Sequence, residues 1–384
     1  MKTVQNVVLE TQKMPNTKKN IKIFIIAGEV SGDILGAKIM REMPGVNFVG
    51  IGGQNMVAAG LKPLFPISDL AVMGIFEVLA RVRTLTRRIN QTVDAIIAEK
   101  PDIVLTIDSP GFAKSVIKAV RRKGVPEKNT KFYHVVAPQV WAWGARRASK
   151  YAKIFDRLYS FFDFEKPYFE KYGLTTVAVG HPISDGLDKY KKTVKDNNII
   201  TLIPGSRMSE IKKLLPVFRT VVEQLGKDYK YTIPVVETTE DYIRENIKYW
   251  AIKPDLVPAS QRYDVYANTY VAVAASGTVS AELAIMHIPT VVVYKMNPLT
   301  VLLAHILVRV KWVSLVNILM NKTIFPELLG KHANPKEITM AIQKLTQPSV
   351  RTKMIGELKS ADDKWAKSGK CAAKLIANDI LSAV

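Results

Sequence analysis

The sequence predicts an α/β protein made of two domains, each built on a parallel sheet. Short β-branched apolar runs are bounded by Gly, Pro, Asp or Ser, and amphipathic stretches of helical period lie between them. Several runs are continuously apolar, as is typical of parallel strands buried on both faces. A polar stretch bearing Gly and Pro separates two such series near Ser184. With 384 residues, 48% of them apolar, the chain is long enough to form two cores.

The predicted elements follow this division in chain order. Strands of the first domain, residues 21–184, are expected at 21–27, 47–51, 103–107, 132–136, 157–161 and 176–179. Strands of the second domain, residues 185–351, are expected at 199–203, 231–236, 256–257, 271–275 and 290–294. Residues 1–20 contain no apolar run long enough for a signal peptide and are interpreted as a flexible extension. Residues 352–384 are expected to be helical and to pack back on the first domain or on a partner subunit.

The composition limits the class of protein. The net charge of +21 favours a partner that carries phosphates, either a nucleic acid or an anionic membrane surface, although a solvated basic surface would also explain it. The single cysteine, Cys371, excludes a disulfide scaffold and indicates a reducing, intracellular environment. The longest apolar region begins at Pro298 and is interrupted by His305, Arg309 and Lys311, so no membrane-spanning helix is expected there.

The residues that follow each strand are candidate ligand contacts, because ligands bind outside the carboxyl ends of parallel strands. After the strand at 199–203 comes "PGSR", in which Gly205 permits a tight turn, Ser206 can cap the next helix and Arg207 adds a cation. This pattern predicts a site for a phosphate or diphosphate at a helix start. An ordinary cap with a solvent-facing arginine is the alternative.

A second turn of the same kind follows the strand at 271–275. Ser276, Gly277 and Thr278 lead into a helix whose free N–H groups would lie at the same edge, so two turns would suit two phosphates. Glu282 lies about one turn into this helix, where the helix dipole alone favours a carboxylate. The functional alternative is that Glu282 binds the cis-diol of a ribose.

The first domain offers carboxylates at its own strand ends. Gly28 lets another chain segment or a substrate approach closely, while Glu29, Ser31 and Asp33 supply polar groups beside it, although Ser31 or Asp33 could simply cap the helix. Asp108 follows a fully apolar strand, so it would be poorly hydrated and usable as a general base. Turn formation is the alternative role for Asp108.

Three further segments are candidates. Trp141 and Trp143, next to Arg146 and Arg147, could frame a ligand with an apolar body and a phosphate, although tryptophans more often fill cores and interfaces. Asn317 lies among apolar residues and must find polar partners in the backbone or in a ligand. A helix from residue 72 would either pack on the core or insert its apolar residues among lipids; these residues are Val72, Ile75, Phe76, Leu79 and Val82.

Nine segments, taken together, resemble the lipid-A-disaccharide synthase family in order and spacing from about residue 21 to beyond residue 330. They are "AGEVSGDILGA", "GIGGQNM", "LAVMGIFEVL", "IDSPGF", "APQVWAWGARR", "GHPISD", "LIPGSRMSEI", "ASGTVSAELAI" and "VSLVNIL". The resemblance implies two Rossmann-like domains that face each other across a cleft, the GT-B architecture. It places the acceptor in the first domain and the sugar nucleotide in the second.

The resemblance also implies a reaction. The enzyme would join UDP-2,3-diacylglucosamine to 2,3-diacylglucosamine 1-phosphate, giving a β-1,6 disaccharide and UDP on the anionic cytoplasmic face of the inner membrane. Asp108 is then the base for the acceptor 6-hydroxyl, Arg207 the diphosphate clamp and Glu282 the ribose ligand, with Glu29 and Asn317 as further active-site groups. Gly28, Ser31, Asp33, Trp141 and Arg146 are predicted to line the acceptor side.

The sequence departs from the family at three positions and leaves rival functions open. Gly111, Ala137 and Val316 stand where an acidic residue, a serine and a proline are common, which puts local acceptor contacts in doubt. No Asp-x-Asp motif occurs, so catalysis without a metal or a cofactor is expected. A UDP-N-acetylglucosamine epimerase of the same architecture would also use the phosphate turns. A nucleic-acid binder is supported by charge alone, and a homodimer is a further expected arrangement.

Overall fold

Two six-stranded sheets form the framework of the protein. The computed structural model describes residues 21–70, 75–124, 130–187, 190–191, 197–295, 311–365 and 371–383. Within these ranges every strand pairing in both sheets is parallel. The predicted α/β class with two parallel sheets is therefore confirmed.

The first sheet has the strand order β2-β1-β3-β4-β5-β6. Its strands are β1 (Lys22–Ala27), β2 (Asn47–Ile51), β3 (Ile103–Ile107), β4 (Lys131–Val135), β5 (Arg157–Ser160) and β6 (Thr175–Ala178). The helices between them are α1 (Val30–Arg41), α2 (Gln54–Ala58), α3 (Ile75–Glu99), α4 (Pro110–Lys123), α5 (Arg147–Ala152) and α6 (Lys166–Glu170). The predicted strands agree with these bounds to within one residue at each end.

The second sheet has the order β12-β11-β10-β7-β8-β9. Its strands are β7 (Ile199–Ile203), β8 (Lys230–Val235), β9 (Asp255–Pro258), β10 (Val271–Ala275), β11 (Thr290–Tyr294) and β12 (Glu327–Leu329). The helices in this part are α7 (Met208–Leu225), α8 (Glu237–Ile247), α9 (Arg262–Ala267), α10 (Thr278–Ile285), α11 (Leu315–Met320) and α12 (Pro335–Thr346). The edge strand β12 has no counterpart among the predicted strands.

The continuously apolar runs are explained by burial on both faces of each sheet. Along β1, Ile23 and Ile25 belong to one core cluster, whereas Phe24 and Ile26 belong to another on the opposite face. Side chains of a strand alternate between faces, so a central strand with a core on each side is apolar at most positions. These cores fix the carboxyl ends of the strands, where the candidate residues lie.

The C-terminal part of the chain contacts both cores. Helices α13 (Pro348–Lys359) and α14 (Asp362–Trp365) supply Leu358 and Trp365 to the core of the second sheet. Helix α15 (Ala372–Ser382) then packs against α1 and buries Ile376 and Ile380 in the core of the first sheet. Helix α13 runs through residues 351 and 352, the position of the domain boundary that the sequence predicts.

Asp379 attaches α15 to the first sheet, and its removal is expected to destabilise the fold. Its carboxylate accepts a hydrogen bond from the Tyr159 hydroxyl at 2.8 Å and pairs with Arg157. We expect Asp379→Ala to lower the free energy of unfolding by about 1–3 kcal/mol, because two partly buried donors lose their acceptor. Urea denaturation measures this loss, with exposed Asp363→Ala as the control; equal stability of the two variants would contradict the assigned role.

Candidate active site

The carboxyl ends of β3 and β4 carry an unusual backbone. Asp108 and Ser109 follow β3 with φ of 56° and 45°, and Val136 follows β4 with φ of 79°. Residues with side chains rarely adopt this left-handed conformation, and for a β-branched valine it is a true outlier. Strain of this kind costs about 1–3 kcal/mol per residue and clusters at functional sites, where it aims side chains for chemistry.

Asp108 is a shielded carboxylate at this edge. Its Oδ1 accepts a hydrogen bond from the Ser109 N–H at 2.8 Å, and the Ser31 hydroxyl also donates to the carboxylate. Burial raises the pKa of Asp108 above its ordinary value, while these two hydrogen bonds oppose the rise. The result is a carboxylate that is more basic than a solvated aspartate.

Gly28 makes room for the turn that holds Asp108. A Cβ atom at residue 28 would lie 2.1 Å from Oγ of Ser109, so no other residue type fits without displacing the turn. The role predicted for Gly28, close approach by another group, is thus filled by the chain itself. Ser109 was not singled out from the sequence, since only the fold brings the end of β3 against the end of β1.

Glu29 lies at the same edge as Asp108. It is solvent-exposed, and its pKa is raised by partial burial and by the negative charge of Asp108. The structure therefore brings Glu29, Ser31 and Asp108 together, as the sequence suggested. The negative charge of Asp108 thus disfavours ionisation of Glu29.

Asp33 has a structural role instead of the predicted acceptor contact. Its side chain is 3% exposed, and both oxygens accept backbone hydrogen bonds from the start of α2: Gly53 at 2.7 Å, Asn55 at 3.0 Å and Met56 at 3.0 Å. The Asn55 amide donates a fourth hydrogen bond at 2.8 Å. These bonds lower the pKa of Asp33 despite its burial and leave no oxygen lone pair directed at a ligand.

The loop after β4 holds the tryptophans and arginines in different ways. Trp141 donates from Nε1 to Glu165 at 3.1 Å, and burial raises the pKa of Glu165 to about 7. Trp143 is 51% exposed, and the guanidinium of Arg147 lies 3.6 Å from its ring centroid. Arg146 is exposed at the start of α5. In this loop a ring and a guanidinium therefore stack at Trp143 and Arg147, while acceptor contacts by Trp141 and Arg146 stay a prediction.

In the second sheet, the turn after β7 is shaped by Glu210. Gly205 has φ of 104°, and a Cβ atom there would lie 2.4 Å from the Glu210 carboxylate. Glu210 also pairs with Arg207 at 3.0 Å, while the Arg207 side chain stays 72% exposed. The expected cap by Ser206 is wrong, because α7 begins at Met208 after Arg207 and no side chain caps it. The helix start therefore remains open to an anion.

The turn after β10 lies beside the first one. β10 pairs directly with β7, so their carboxyl ends are separated by about 5 Å, the spacing of neighbouring strands. Gly277 precedes α10, which begins at Thr278, and no side chain caps this helix start either. Ser276, Gly277 and Thr278 all reach the surface. The predicted arrangement of two neighbouring turns with uncapped N–H groups is thus present.

Glu282 lies within α10, next to two residues that the sequence did not single out. Its side chain belongs to a residue only 7% exposed, and Oε1 accepts a hydrogen bond from the Tyr263 hydroxyl at 2.9 Å. Arg262 lies 3.5 Å from the same oxygen. Burial raises the pKa of Glu282, whereas Arg262 and Tyr263 oppose the rise. Arg262 and Tyr263 both lie on α9, and only the tertiary fold places this helix against α10.

The chain is similar in sequence to known lipid-A-disaccharide synthases. The lipid-A-disaccharide synthetase family model matches residues 23–377. The lipid-A-disaccharide synthase of Rhodospirillum centenum is 39% identical over 357 residues, which cover 88% of each chain. The lipid-A-disaccharide synthase of Paramagnetospirillum magneticum is 36% identical over 379 residues, covering 94% of this chain and 96% of that protein.

The chain belongs to the lipid-A-disaccharide synthase family.

Solved structures show the same architecture at low identity. A UDP-N-acetylglucosamine 2-epimerase from Neisseria meningitidis, bound to UDP-N-acetylglucosamine, has a TM-score of 0.60 and 13% identity, covering 94% of this chain and all of that one. Acinetobacter baumannii MurG has a TM-score of 0.61 and 12% identity, covering 94% and 99%. These likenesses show the GT-B-like fold, while the closer relatives make this member of the lipid-A-disaccharide synthase family a glycosyltransferase rather than an epimerase.

Asn317 is held by the chain itself in this family member, which matches the backbone alternative that the sequence left open. It is fully buried in α11, and its amide oxygen accepts from the N–H groups of Ile324 at 2.8 Å and Phe325 at 2.9 Å. Its amide nitrogen donates to the Phe325 carbonyl and to Glu327, both at 2.8 Å. All four hydrogen bonds available to a primary amide are satisfied, so Asn317 orders the segment that leads into β12.

The three departures from the lipid-A-disaccharide synthase pattern lie in different surroundings. A Cβ atom at Gly111 would meet nothing within 4 Å, so the exposed start of α4 has room for a larger side chain. Ala137 is buried after β4, and Val316 is fully buried in the second core. Two of the three positions are therefore packing positions, and only Gly111 faces open space.

The proposed membrane residues are only partly described. Val72 lies outside the described residues, and for Ile75, Phe76 and Leu79 the structure gives the backbone of α3 alone. Val82, on the same helix, is 45% exposed. Among the described residues, no helix combines the length and apolarity needed to cross a bilayer. Within those ranges there is also no group of three or more His, Cys, Asp or Glu side chains suited to a metal ion.

Proposed function

We propose that this chain transfers a diacylglucosamine unit from UDP-2,3-diacylglucosamine to the 6-hydroxyl of 2,3-diacylglucosamine 1-phosphate. The products are a β-1,6-linked disaccharide 1-phosphate and UDP. The new bond joins the acceptor oxygen to C1 of the donor sugar, and the bond from C1 to the diphosphate breaks with inversion. The observation that carries the proposal is the shielded carboxylate of Asp108 at the strained end of β3, in a chain of this glycosyltransferase family.

Asp108 is the proposed general base. A hydroxyl group is a weak nucleophile, so its proton must be taken up as the new bond forms. The raised pKa of Asp108 brings its basicity closer to what this proton transfer needs, while Ser31 and the Ser109 N–H hold the carboxylate in place. Glu29 shares the edge and is proposed to hydrogen-bond the acceptor sugar.

The two neighbouring turns of the second domain are the proposed diphosphate site. Negative charge grows on the leaving UDP, and fixed donors placed at that charge stabilise the transition state. Gly205 and Ser206 at one turn, and Ser276, Gly277 and Thr278 at the other, present uncapped helix starts. Arg207 is exposed, and among the described residues its one ion pair is with Glu210, so its guanidinium can turn to the diphosphate at little cost.

Glu282 is the proposed ribose ligand. Its Oε1 is held by Tyr263 and Arg262, which fixes the orientation of the carboxylate, and its second oxygen would accept hydrogen bonds from the ribose hydroxyls. Arg262 also offsets part of the cost of keeping this buried carboxylate ionised. Tyr263 and Arg262 thus act as positioning residues for the nucleoside site.

The proposed site of action is the anionic cytoplasmic face of the inner membrane, because both proposed substrates carry acyl chains. The net charge of +21 supports attraction to such a surface, and the helix that contains Val82 supplies apolar residues. A homodimer is also proposed, with the C-terminal helix as the segment that could contact a second copy. Sedimentation of the purified protein measures this association.

The reaction is tested directly with purified protein. UDP-2,3-diacylglucosamine and 2,3-diacylglucosamine 1-phosphate in detergent micelles should yield the disaccharide 1-phosphate and UDP, identified by mass spectrometry. Omission of either substrate is the control. Conversion of UDP-N-acetylglucosamine to its 2-epimer, with no disaccharide from the acylated pair, would contradict the proposed glycosyl transfer and favour an epimerase instead.

The membrane role of α3 gives a separate prediction. We expect the triple variant Ile75→Ser, Phe76→Ser and Leu79→Ser to lose most co-sedimentation with vesicles that contain anionic phospholipid, because each buried apolar side chain contributes about 1.5–3 kcal/mol to insertion. The matched control replaces three exposed apolar residues elsewhere: Val57→Ser, Met340→Ser and Leu381→Ser. Unchanged partitioning of the α3 variant would assign these side chains to packing instead.

A further inference from the structure

Apart from Arg122 in the last turn of α4, helices α4 and α5 carry four cations that have no carboxylate partner among the described residues. Lys114 and Lys118 lie one turn apart on α4, and Arg147 and Lys150 lie one turn apart on α5. We call these four residues the cation cluster. Within the described ranges, no Asp or Glu forms an ion pair with any of them. By contrast, Arg121 and Lys123 at the far end of α4 pair with Asp156 at 3.5 Å and Asp94 at 2.8 Å.

The members of the cluster act on one another electrostatically. Partial burial, followed by the charges of Lys118, Lys150 and Arg147, lowers the pKa of Lys114. Both helices also pack on the same core cluster, at one face of the first sheet. Like charges gathered on them destabilise the folded protein unless an anion lies among them. An unneutralised group of cations near a catalytic carboxylate is therefore a candidate anion site.

Arg147 is held in place by the protein before any ligand arrives. Its guanidinium stacks 3.6 Å from the Trp143 ring centroid and donates to the Trp143 carbonyl at 2.9 Å. A Cβ atom at Gly144 would lie 3.0 Å from Nε of Arg147, and Gly144 has φ of 65°, so a glycine is needed for this close approach. Nε itself is buried without a hydrogen-bond partner among the described residues. An ordered guanidinium favours binding of a planar or tetrahedral oxyanion.

The cluster lies on the Asp108 side of the first domain. Helix α4 begins two residues after Asp108, and Lys114 is about 6 Å along the helix axis from its first residue, Pro110. The charges of both Arg147 and Asp108 act on the hydroxyl of Tyr151, whose pKa burial raises to about 12. Tyr151 thus lies within electrostatic range of both Asp108, the proposed base, and Arg147 of the cation cluster.

We propose that the cation cluster binds the phosphate monoester of the acceptor sugar. The inference rests on the proposed function, because it assigns one end of the proposed acceptor to a subsite of its own. A phosphate monoester carries a charge of about −1.5 to −2 and three acceptor oxygens, which matches several ammonium groups and a guanidinium better than a single cation would. The cluster then selects phosphorylated acceptors and orients the 6-hydroxyl toward the base.

The test compares two acceptors that differ only in the phosphate. Transfer to 2,3-diacylglucosamine 1-phosphate and to 2,3-diacylglucosamine is measured in the same neutral detergent micelles. For the unaltered protein, we expect kcat/KM to be at least about a hundredfold higher for the phosphorylated acceptor. Lys114→Gln should lower that value about tenfold, and Lys114→Gln with Lys150→Gln about a hundredfold, while transfer to the phosphate-free acceptor changes by less than about twofold.

A matched control variant comes from the far end of the same helix. Arg122→Gln removes an exposed cation from the last turn of α4 and should leave the preference for phosphate intact. If kcat/KM of the Lys114 and Lys150 variants fell equally for both acceptors, or fell for neither, the phosphate subsite would be overturned. Glycosyl transfer by the protein would still be established. The Lys114 and Lys150 variants could instead lose binding to anionic vesicles while keeping their preference for the phosphorylated acceptor in micelles. That result would assign the cluster to lipid headgroups and would also overturn the subsite. No product from either acceptor with the unaltered protein would overturn the proposed function itself, and the subsite with it.

Discussion

Asp108→Asn should reduce the rate of transfer by about 10²–10⁴-fold, the range that general-base catalysis contributes. The amide keeps the size of the carboxylate but cannot take up the hydroxyl proton. UDP affinity should be unchanged, because the proposed nucleotide contacts lie in the second domain. The measurements are single-turnover transfer and UDP titration. The matched control is Asp102→Asn, the same change at the amino end of β3, where the carboxylate accepts from the Lys22 N–H at 2.9 Å.

The raised pKa of Asp108 predicts the direction in which kcat/KM and stability change with pH. Burial raises the pKa of Asp108, so the acid limb of kcat/KM should fall at a pH above the ordinary aspartate value of 3.8. A carboxyl group whose pKa is raised by folding binds its proton more tightly in the folded state, so its ionisation reduces stability as the pH rises through that range. Asp108→Asn should therefore melt no lower than the unaltered protein at neutral pH. Retention of most activity by the variant would remove Asp108 from the role of base.

Arg207→Ala should weaken UDP binding by about 10–100-fold, because hydrogen bonds to a charged diphosphate are worth about 1.5–3 kcal/mol. The rate of transfer should fall at least as much, since the charge on the diphosphate grows as UDP leaves. Arg207→Lys should recover only part of the loss, because a lysine keeps the charge but not the bidentate geometry.

Arg219→Ala is the control for Arg207→Ala. Arg219 is an exposed arginine of α7 whose charge is already paired with Glu223 at 2.9 Å, so its removal changes the net charge equally without touching the turn. Calorimetric titration with UDP measures both variants. If they bound UDP with equal affinity, the guanidinium of Arg207 would not contact the diphosphate.

Most strands could be predicted from the sequence because each is marked by a local run of apolar residues. β3, β7 and β10 are fully or almost fully buried, and their apolar runs, each interrupted by no more than one threonine, define both ends. β12 was missed because it has three residues, all partly exposed, and its pairing with β11 is decided by tertiary contacts. Local periodicity cannot identify a strand that short.

The candidate site was predictable only in part. Asp108 and the two turns of the second domain follow long apolar strands, so their place at the carboxyl edge follows from the sequence pattern. Asp33 and Asn317 carry the same chemical groups, but backbone N–H groups from other parts of the chain consume their hydrogen-bonding capacity. Arg262 and Tyr263 show the reverse case, since they reach Glu282 only because α9 packs nearby. Sequence spacing does not reveal which distant group meets a polar side chain.

The placement of α15 also affects the order in which the chain can fold during synthesis. The last strand of the first sheet ends at Ala178, but Ile376 and Ile380, which cover one face of that sheet, are made roughly 200 residues later. At about 5–20 residues per second, the ribosome needs roughly 10–40 s to supply them. During that interval the nascent first domain presents an uncovered apolar face, so chaperones that bind nascent chains should associate with it until translation ends.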